Sequence, residues 1–363
     1  HVFLCHIDIL CQNCILEIIE ILILRNVFNY NYIFLDMKEK IKVALIYKDD
    51  YIFFNENHFD KTTYYFFMKA LQRNEDLEIT YFPTKNTFDC SKLKGKFDLI
   101  LLPNNNIDGT PDELIGIKKM EIPVICRTGD PHWAKSKNQF QFHEKWKINY
   151  YFNFMHEDYF YKFYSKDFKY KTITFGIEPK IYEKINYKFE NRIKNIILNS
   201  GALGKNKIKS KVANRILNPK RSGWYFYKLR TICNDLNYVT HTREIEKKFP
   251  SLTYNELLAK YSAVIAATTF YPTIKYWETS AAGCLTFMEI TEKNHGQYLG
   301  YRDGKNAIFI NENNYKEKFQ EYLSDIMNPK WEQIAKEGTE YTMKKFSNDE
   351  AVKELVCLMK EML

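Results

Sequence analysis

Lys275-Tyr276-Trp277-Glu278-Thr279-Ser280-Ala281-Ala282-Gly283-Cys284-Leu285-Thr286-Phe287 is the stretch on which the reading of this chain turns. Its first part carries Lys275 and Glu278 one helical turn apart, where side chains three residues apart share a face. Small residues suited to close packing follow. Gly283 then ends the helix and Cys284 to Phe287 begins a buried strand. A carboxylate at 278 suits a ribose diol, because it accepts two hydroxyl hydrogen bonds. A lysine one turn earlier, towards the helix N-terminus, suits a diphosphate. A plain surface ion pair between Lys275 and Glu278 fits the same spacing.

Working outward, apolar runs recur on both sides at residues 195–199, 238–241, 263–266, 284–288 and 307–310, with helical patterns at 315–327, 329–345 and 348–362. A polar stretch, 178–194, separates this half from an earlier one. There the apolar runs are 41–47, 77–82, 97–103, 122–126 and 172–175, with a helical segment at 58–73 and a loop at 104–111 leading to a short helix. Short apolar runs alternating with helices predict parallel sheets built from βαβ units. The fold class expected is α/β, two Rossmann-like doubly wound domains facing a cleft, where such sheets bind ligands.

No G-x-G-x-x-G follows a strand, so there is no dinucleotide fingerprint. Gly201-Ala202-Leu203-Gly204-Lys205 imitates a phosphate loop, but its spacing is wrong and Asn206 stands where Ser or Thr is required. What remains is a strand, Asn199-Ser200-Gly201, and a basic stretch (Lys205, Lys207, Lys209, Lys211) entering a helix. A glycine turn before a helix offers N–H groups to an anion; an ordinary strand–turn–helix with a solvated basic face reads equally well. In the first half, Arg127-Thr128-Gly129-Asp130-Pro131-His132-Trp133 follows a strand as a cleft loop would. Asp130 or His132 there suits orienting an acceptor hydroxyl or acting as base, and His132 suits a satisfied loop histidine as well. The aromatic run from His143 to Tyr164 (Trp146, Tyr150, Tyr151, Phe152, Tyr159) reads as core packing ahead of sugar stacking, given the area aromatics bury.

The stretch from Lys275 resembles the group 1 glycosyltransferases of the GT-B fold, whose donor domain carries K/R-x-x-E-x-x-A-x-G before a strand. Gly300-Tyr301-Arg302-Asp303-Gly304-Lys305-Asn306-Ala307 is similar to the family's D-G-x-N loop. Thr174-Phe175-Gly176-Ile177-Glu178-Pro179-Lys180-Ile181-Tyr182 is similar to the P-x-G-[IV]-D-x-x-x-F segment that closes the acceptor domain. Tyr254-Asn255-Glu256-Leu257-Leu258-Ala259-Lys260-Tyr261-Ser262 looks like the helix before a donor-domain strand. These segments follow the family's order from about 172 to 345; residues 37 to about 170 share only the α/β pattern. One departure stands out. Many members have E-x7-E, the first glutamate holding the donor sugar, and here position 270 is Phe.

The resemblance implies a retaining glycosyltransferase that moves a sugar from a nucleotide diphosphate sugar to a carbohydrate or lipid-linked acceptor. Residues 37–180 would bind the acceptor, 190–345 the donor, and the helix of 346–363 would cross back to the first domain. Donor-binding candidates are Ser200, Gly201, Lys205, Lys207, Lys275, Tyr276, Glu278 and Thr279; catalytic candidates are Asp130, His132 and Lys275. No aspartate is followed two residues later by another, so the D-x-D pair of metal-dependent enzymes is absent. No metal or cofactor beyond the co-substrate is expected, and lysines and helix N-termini are expected to balance the leaving diphosphate. The missing glutamate leaves a noncatalytic sugar-nucleotide or glycan-binding protein as an alternative, and a nucleotide-sugar epimerase is a further one.

Composition sets outer bounds. The chain has 363 residues, 45% hydrophobic and 27% charged, which fits a globular chain of two domains and excludes a disordered or fibrous one. The excess of 53 Lys+Arg over 45 Asp+Glu is scattered, unlike the clustered charge of a nucleic-acid binder. Peripheral membrane contact stays open. Eight cysteines, several in apolar runs, suit a reducing cytoplasm. No apolar run reaches 18 residues, so no spanning helix is expected. Residues 1–36 read unlike the rest and as an extension outside the fold, with Met37 a plausible start. Their Cys5, His6, Cys11 and Cys14 offer zinc ligands, but a lone C-x-x-C without a second pair is a weak signal.

Overall fold

The computed structural model describes residues 39–54, 65–185, 187–205, 207–217, 223–243 and 252–363. The chain divides into two compact units, His1–Ile41 and Lys42–Leu363. The expected extension, its four candidate zinc ligands and residues 58–64 of the expected first helix lie outside the described residues.

The larger unit contains two sheets of the doubly wound kind. In the first half, strands β1 (Ile41–Lys48), β2 (Leu77–Thr84), β3 (Thr87–Asp89), β4 (Leu99–Leu102), β5 (Glu113–Ile115), β6 (Val124–Arg127), β7 (Tyr150–Asn153) and β8 (Tyr170–Thr172) are laid down in order. Six of them form one sheet in the order β2-β1-β4-β6-β7-β8, and β3 pairs with β5 alone. From β1 to β8, neighbours along the large sheet run parallel. In the second half, β9 (Ile197–Asn199), β10 (Val239–His241), β11 (Ala263–Ala266), β12 (Leu285–Glu289) and β13 (Ile308–Ile310) form a parallel sheet in the order β10-β9-β11-β12-β13. Leu99–Leu102 and Ala263–Ala266 are buried at every residue, as strands covered by helices on both faces must be. That burial is why their sequences are unbroken apolar runs.

Two elements differ from the expectation. β7 was not anticipated, because Tyr150-Tyr151-Phe152-Asn153 lies in an aromatic run with no alternation. It pairs Ile125 with Tyr150 on one side and Asn153 with Thr172 on the other, and Trp146, Tyr151 and Phe152 are fully buried around it. The aromatics are therefore core. The strand expected at 172–175 sits at Tyr170–Thr172 instead, and the chain continues from it into a crossover.

The chain passes between the halves twice, side by side. Ile177 N–H donates to Phe346 O at 3.3 Å and Asn348 N–H to Ile177 O at 2.7 Å. The Asn348 side chain accepts from Gly176 N–H at 2.9 Å. Gly176 has φ +123°, and a Cβ there would run into Ile274, so a side chain is excluded twice over. Trp277 donates to Phe175 O at 3.2 Å and stacks on Phe346. The helix Asn348–Met362 buries Ala351, Val352, Leu355, Leu358 and Met359 and packs against the short helical turn Phe66–Ala70 of the first half. Lys360 pairs with Asp76 at 2.7 Å along the same contact.

Candidate active site

In a doubly wound sheet, the strand order reverses at one point, and the crevice at the carboxyl ends there takes the ligand. In the second sheet that point lies between β9 and β11, at Asn199-Ser200-Gly201 and Ala266-Ala267-Thr268. Arg230, on the helix Lys228–Cys233, joins the two strand ends. It donates through Nη1 to Ser200 O at 2.8 Å and through Nε and Nη2 to Ala267 O at 3.1 and 2.8 Å. Gly201 has φ +98°, and a Cβ on it would collide with this guanidinium. Its carbonyl is within hydrogen-bond distance of His241 Nε2, at 2.7 Å, so the turn is held from both sides.

Lys275 opens the helix Lys275–Ala281 over this turn. Its Nζ donates to Glu278 Oε2 at 2.8 Å and lies 3.7 Å from the centroid of the Tyr254 ring. Tyr254, first residue of the helix Tyr254–Ala259, shares a hydrogen bond with the Ser200 hydroxyl. A capping box of Thr253 and Glu256 fixes the start of that helix and hence the ring. Burial opposes the Lys275 charge, but Glu278 and Tyr254 outweigh it and hold the ammonium more basic than an ordinary lysine. Burial raises the Tyr254 phenol, and Glu278 adds to the rise. Serine, glycine, lysine, glutamate and tyrosine from three distant segments thus meet at one strand switch, with a fixed cation beside a carboxylate.

The remaining candidates sit differently. Tyr276 is fully buried, its hydroxyl accepting from Thr268 N–H at 2.9 Å and donating to Glu289 O at 3.0 Å. Thr279 donates to Lys275 O at 2.8 Å and packs inside the helix–sheet layer. Lys205 and Lys207 are exposed on the segment leading to the helix Ile208–Leu217, and none of the contacts just described involves them. In the first half, His132 is buried, with Nε2 3.9 Å from Asp130 Oδ2 and Nδ1 3.5 Å from Tyr159 OH. Asp130 is half-exposed. Tyr159 in turn packs on Tyr271 of the second half, ring centroids 4.4 Å apart. The D-G-x-N segment forms a turn: Asn306 accepts from Arg302 N–H at 2.6 Å and Asp303 from Phe309 N–H at 2.7 Å.

Arg230, Thr269 and Glu289 were missed altogether. Glu289 ends β12 at the carboxyl edge of the sheet, 4% exposed, and its Oε2 has no hydrogen-bond partner. Thr269, also buried, has an equally unmatched hydroxyl. Both line a cavity of about 550 Å³ that Lys293, Gln297, Asn311 and Glu312 help to wall. Burial, reinforced by Glu312, pushes the Glu289 carboxyl up to about 7. The available signal was positional: an acid ending a buried run at the ligand edge of a parallel sheet. Phe270, at the place of the absent glutamate, lies between Lys162 and Lys293, whose ammonium groups are 4.9 and 5.2 Å from its ring.

The sequence matches no protein-family model and no curated protein. The structure is similar to an alpha-glucosyltransferase solved in complex with UDP-glucose and DNA containing an abasic site. That match has TM-score 0.51 and 9% identity and covers 88% of this chain and 99% of that one. Anabaena HepE in complex with UDP-glucose aligns at TM-score 0.49 and 10% identity over 88% of this chain and 100% of that one. Sucrose-phosphate synthase from Thermosynechococcus elongatus aligns at 0.49 and 12% identity over 89% and 99%. At 9% identity the match with TM-score 0.51 speaks for the fold alone. The expected α/β fold with parallel sheets is the one the chain has.

Proposed function

We propose that this chain is a glycosyltransferase that transfers a sugar from a nucleotide diphosphate sugar bound by its second half (190–345) to a carbohydrate or lipid-linked acceptor bound by its first (37–180). The observation that carries the reading is the Lys275–Glu278–Tyr254–Ser200 cluster at the strand switch of the second sheet. Glu278 takes the ribose diol, Lys275 and the Gly201 turn face the diphosphate, and the fixed ammonium stabilises the charge that grows on the leaving group. Lys205 and Lys207 lend a basic approach to the same turn.

Glu289 and Thr269 replace the absent glutamate. A carboxyl near neutrality in a polar cavity donates or accepts a hydrogen bond, and a sugar hydroxyl supplies the partner both side chains lack. This pair favours an enzyme with a sugar pocket over a bare nucleotide binder. Across the cleft, the half-exposed Asp130 orients the acceptor hydroxyl, with the buried His132 standing 3.9 Å behind its carboxylate. The resemblance adds a retaining outcome, the missing D-x-D pair speaks for a transfer step without a divalent metal, and cysteines in apolar runs suit a cytoplasmic setting; among the described residues no helix is long and apolar enough to cross a membrane.

The test is nucleotide release from a panel of nucleotide sugars opening with UDP-glucose, with sugar transfer followed in parallel. Tight binding without turnover across the panel, with every acceptor class supplied, would favour the noncatalytic alternative.

A further inference from the structure

A second cluster lies where the halves meet, and sugar transfer leaves it unused. His156 follows β7 and precedes the short helix Glu157–Tyr161, which contains Asp158; His295 lies in the loop after β12. The two imidazole rings are stacked, centroids 5.0 Å apart and 6° from parallel. Both present Nδ1 to one carboxylate oxygen: His156 Nδ1 is 3.3 Å and His295 Nδ1 3.4 Å from Asp158 Oδ2. All three ligand atoms lie within 4.8 Å of one another.

The chemistry of the near contact is informative. His156 Nδ1 lies 3.2 Å from the backbone N–H of Asp158 as well as 3.3 Å from Asp158 Oδ2, and its neutral Nε2–H tautomer offers a lone pair at that point. Zinc binds nitrogen and oxygen at about 2.0–2.1 Å, which sets the ligand atoms of a tetrahedron about 3.3–3.4 Å apart. The two histidine–aspartate edges of the triangle already have that length, and because the rings are 6° from parallel, one imidazole must turn about its side-chain torsions to aim its in-plane lone pair at the same ion. Two imidazoles and a carboxylate suit a borderline transition-metal ion, whereas magnesium and calcium prefer oxygen shells. The side chains are 25 to 51% exposed, which leaves the fourth position to water.

We propose that His156, Asp158 and His295 bind one divalent transition-metal ion of the zinc type. The ion ties the loop after β7 to the loop after β12 beside the existing bridge from Tyr298 OH to Phe154 O, 2.7 Å. Binding exchanges the Asp158 N–H cap at His156 for a metal bond. The ion holds the two halves of the cleft together and takes no part in the transfer, so the site stands whether or not the chain transfers sugars.

The full chain is titrated with Zn²⁺ by calorimetry beside His295→Asn, chosen because Asn tolerates the φ of +53° at that position, and beside Asp158→Asn. Cobalt substitution gives a second readout. One equivalent of Zn²⁺ is expected to bind the wild-type chain, to raise its Tm, and to bind each variant at least 100-fold more weakly. Bound Co²⁺ should show intense four-coordinate d–d bands without thiolate charge transfer. Absence of Zn²⁺ binding by the wild type, undiminished binding by both variants, or a cobalt spectrum dominated by thiolate charge transfer, as Cys5, Cys11 and Cys14 would give, overturns the assignment.

Discussion

The ammonium of Lys275 and the carboxylate of Glu278 are 2.8 Å apart on one helical turn, with the Tyr254 ring 3.7 Å from the same ammonium. Neither end is solvated freely, since the Lys275 side chain is 25% exposed and that of Glu278 only 8%. The pair should therefore couple more strongly than a surface ion pair. A double-mutant cycle with Lys275→Met and Glu278→Gln is expected to give about 1–3 kcal/mol of coupling in chemical denaturation. Coupling near zero would mean that Tyr254 alone holds the lysine.

Glu278→Ala removes the acceptor assigned to two ribose hydroxyls. Nucleoside diphosphate binding should weaken by about 1–3 kcal/mol, while a nucleotide lacking the ribose diol should lose little more on the variant. Calorimetry giving equal affinities of wild type and variant for every nucleotide would remove the ribose from Glu278.

The Glu289 carboxyl, pushed up to about 7 by burial, makes stability depend on pH in a defined direction. An unfolded glutamate titrates near 4.3, so between there and about 7 the folded chain holds a proton that the unfolded chain has released. Stability from this group is complete below about 4 and falls as pH rises to 7. Glu289→Gln should flatten that decline, with the variant gaining up to roughly 3–4 kcal/mol relative to wild type by pH 8. Denaturation midpoints across pH 4–8 that run parallel for the two chains would contradict the raised value.

The helix Asn348–Met362, which packs against Phe66–Ala70 of the first half, buries Leu355 and Leu358 completely. Leu355→Ala should cost about 2–5 kcal/mol, as buried leucine truncations do, with near-UV circular dichroism and melting temperature changing together. A loss below about 1 kcal/mol would show that the helix is dispensable to the fold.

What the sequence disclosed depended on range. Ala263–Ala266 and Leu285–Glu289 were legible because a strand buried on both faces writes itself as an apolar run. Tyr150–Asn153 was illegible because aromatic residues serve core helices and strands alike. Lys275 and Glu278 could be paired from their spacing alone. Tyr254, Arg230 and His241 could not be joined to them, because only the strand order β10-β9-β11 brings those segments together. Glu289 escaped because its place at the end of a buried run becomes a signal only once that strand end is known to lie at the ligand edge of the sheet. Tyr276 shares the motif with Lys275 yet points inward to Thr268 and Glu289, a difference set by the helix's rotation over the sheet.

Sugar transfer driven by Lys275 is tested most directly by turnover of the preferred nucleotide sugar in excess EDTA, wild type beside Lys275→Ala. The wild type should remain active in chelator, with at most a few-fold change in KM if an ion at His156 and His295 is stripped. Lys275→Ala should lose about 10²–10³ in kcat and much less in donor affinity, because the charge it meets grows in the transition state. Complete loss of wild-type activity in EDTA, restored by Mg²⁺ or Mn²⁺, or a Lys275→Ala variant with undiminished kcat, would contradict it.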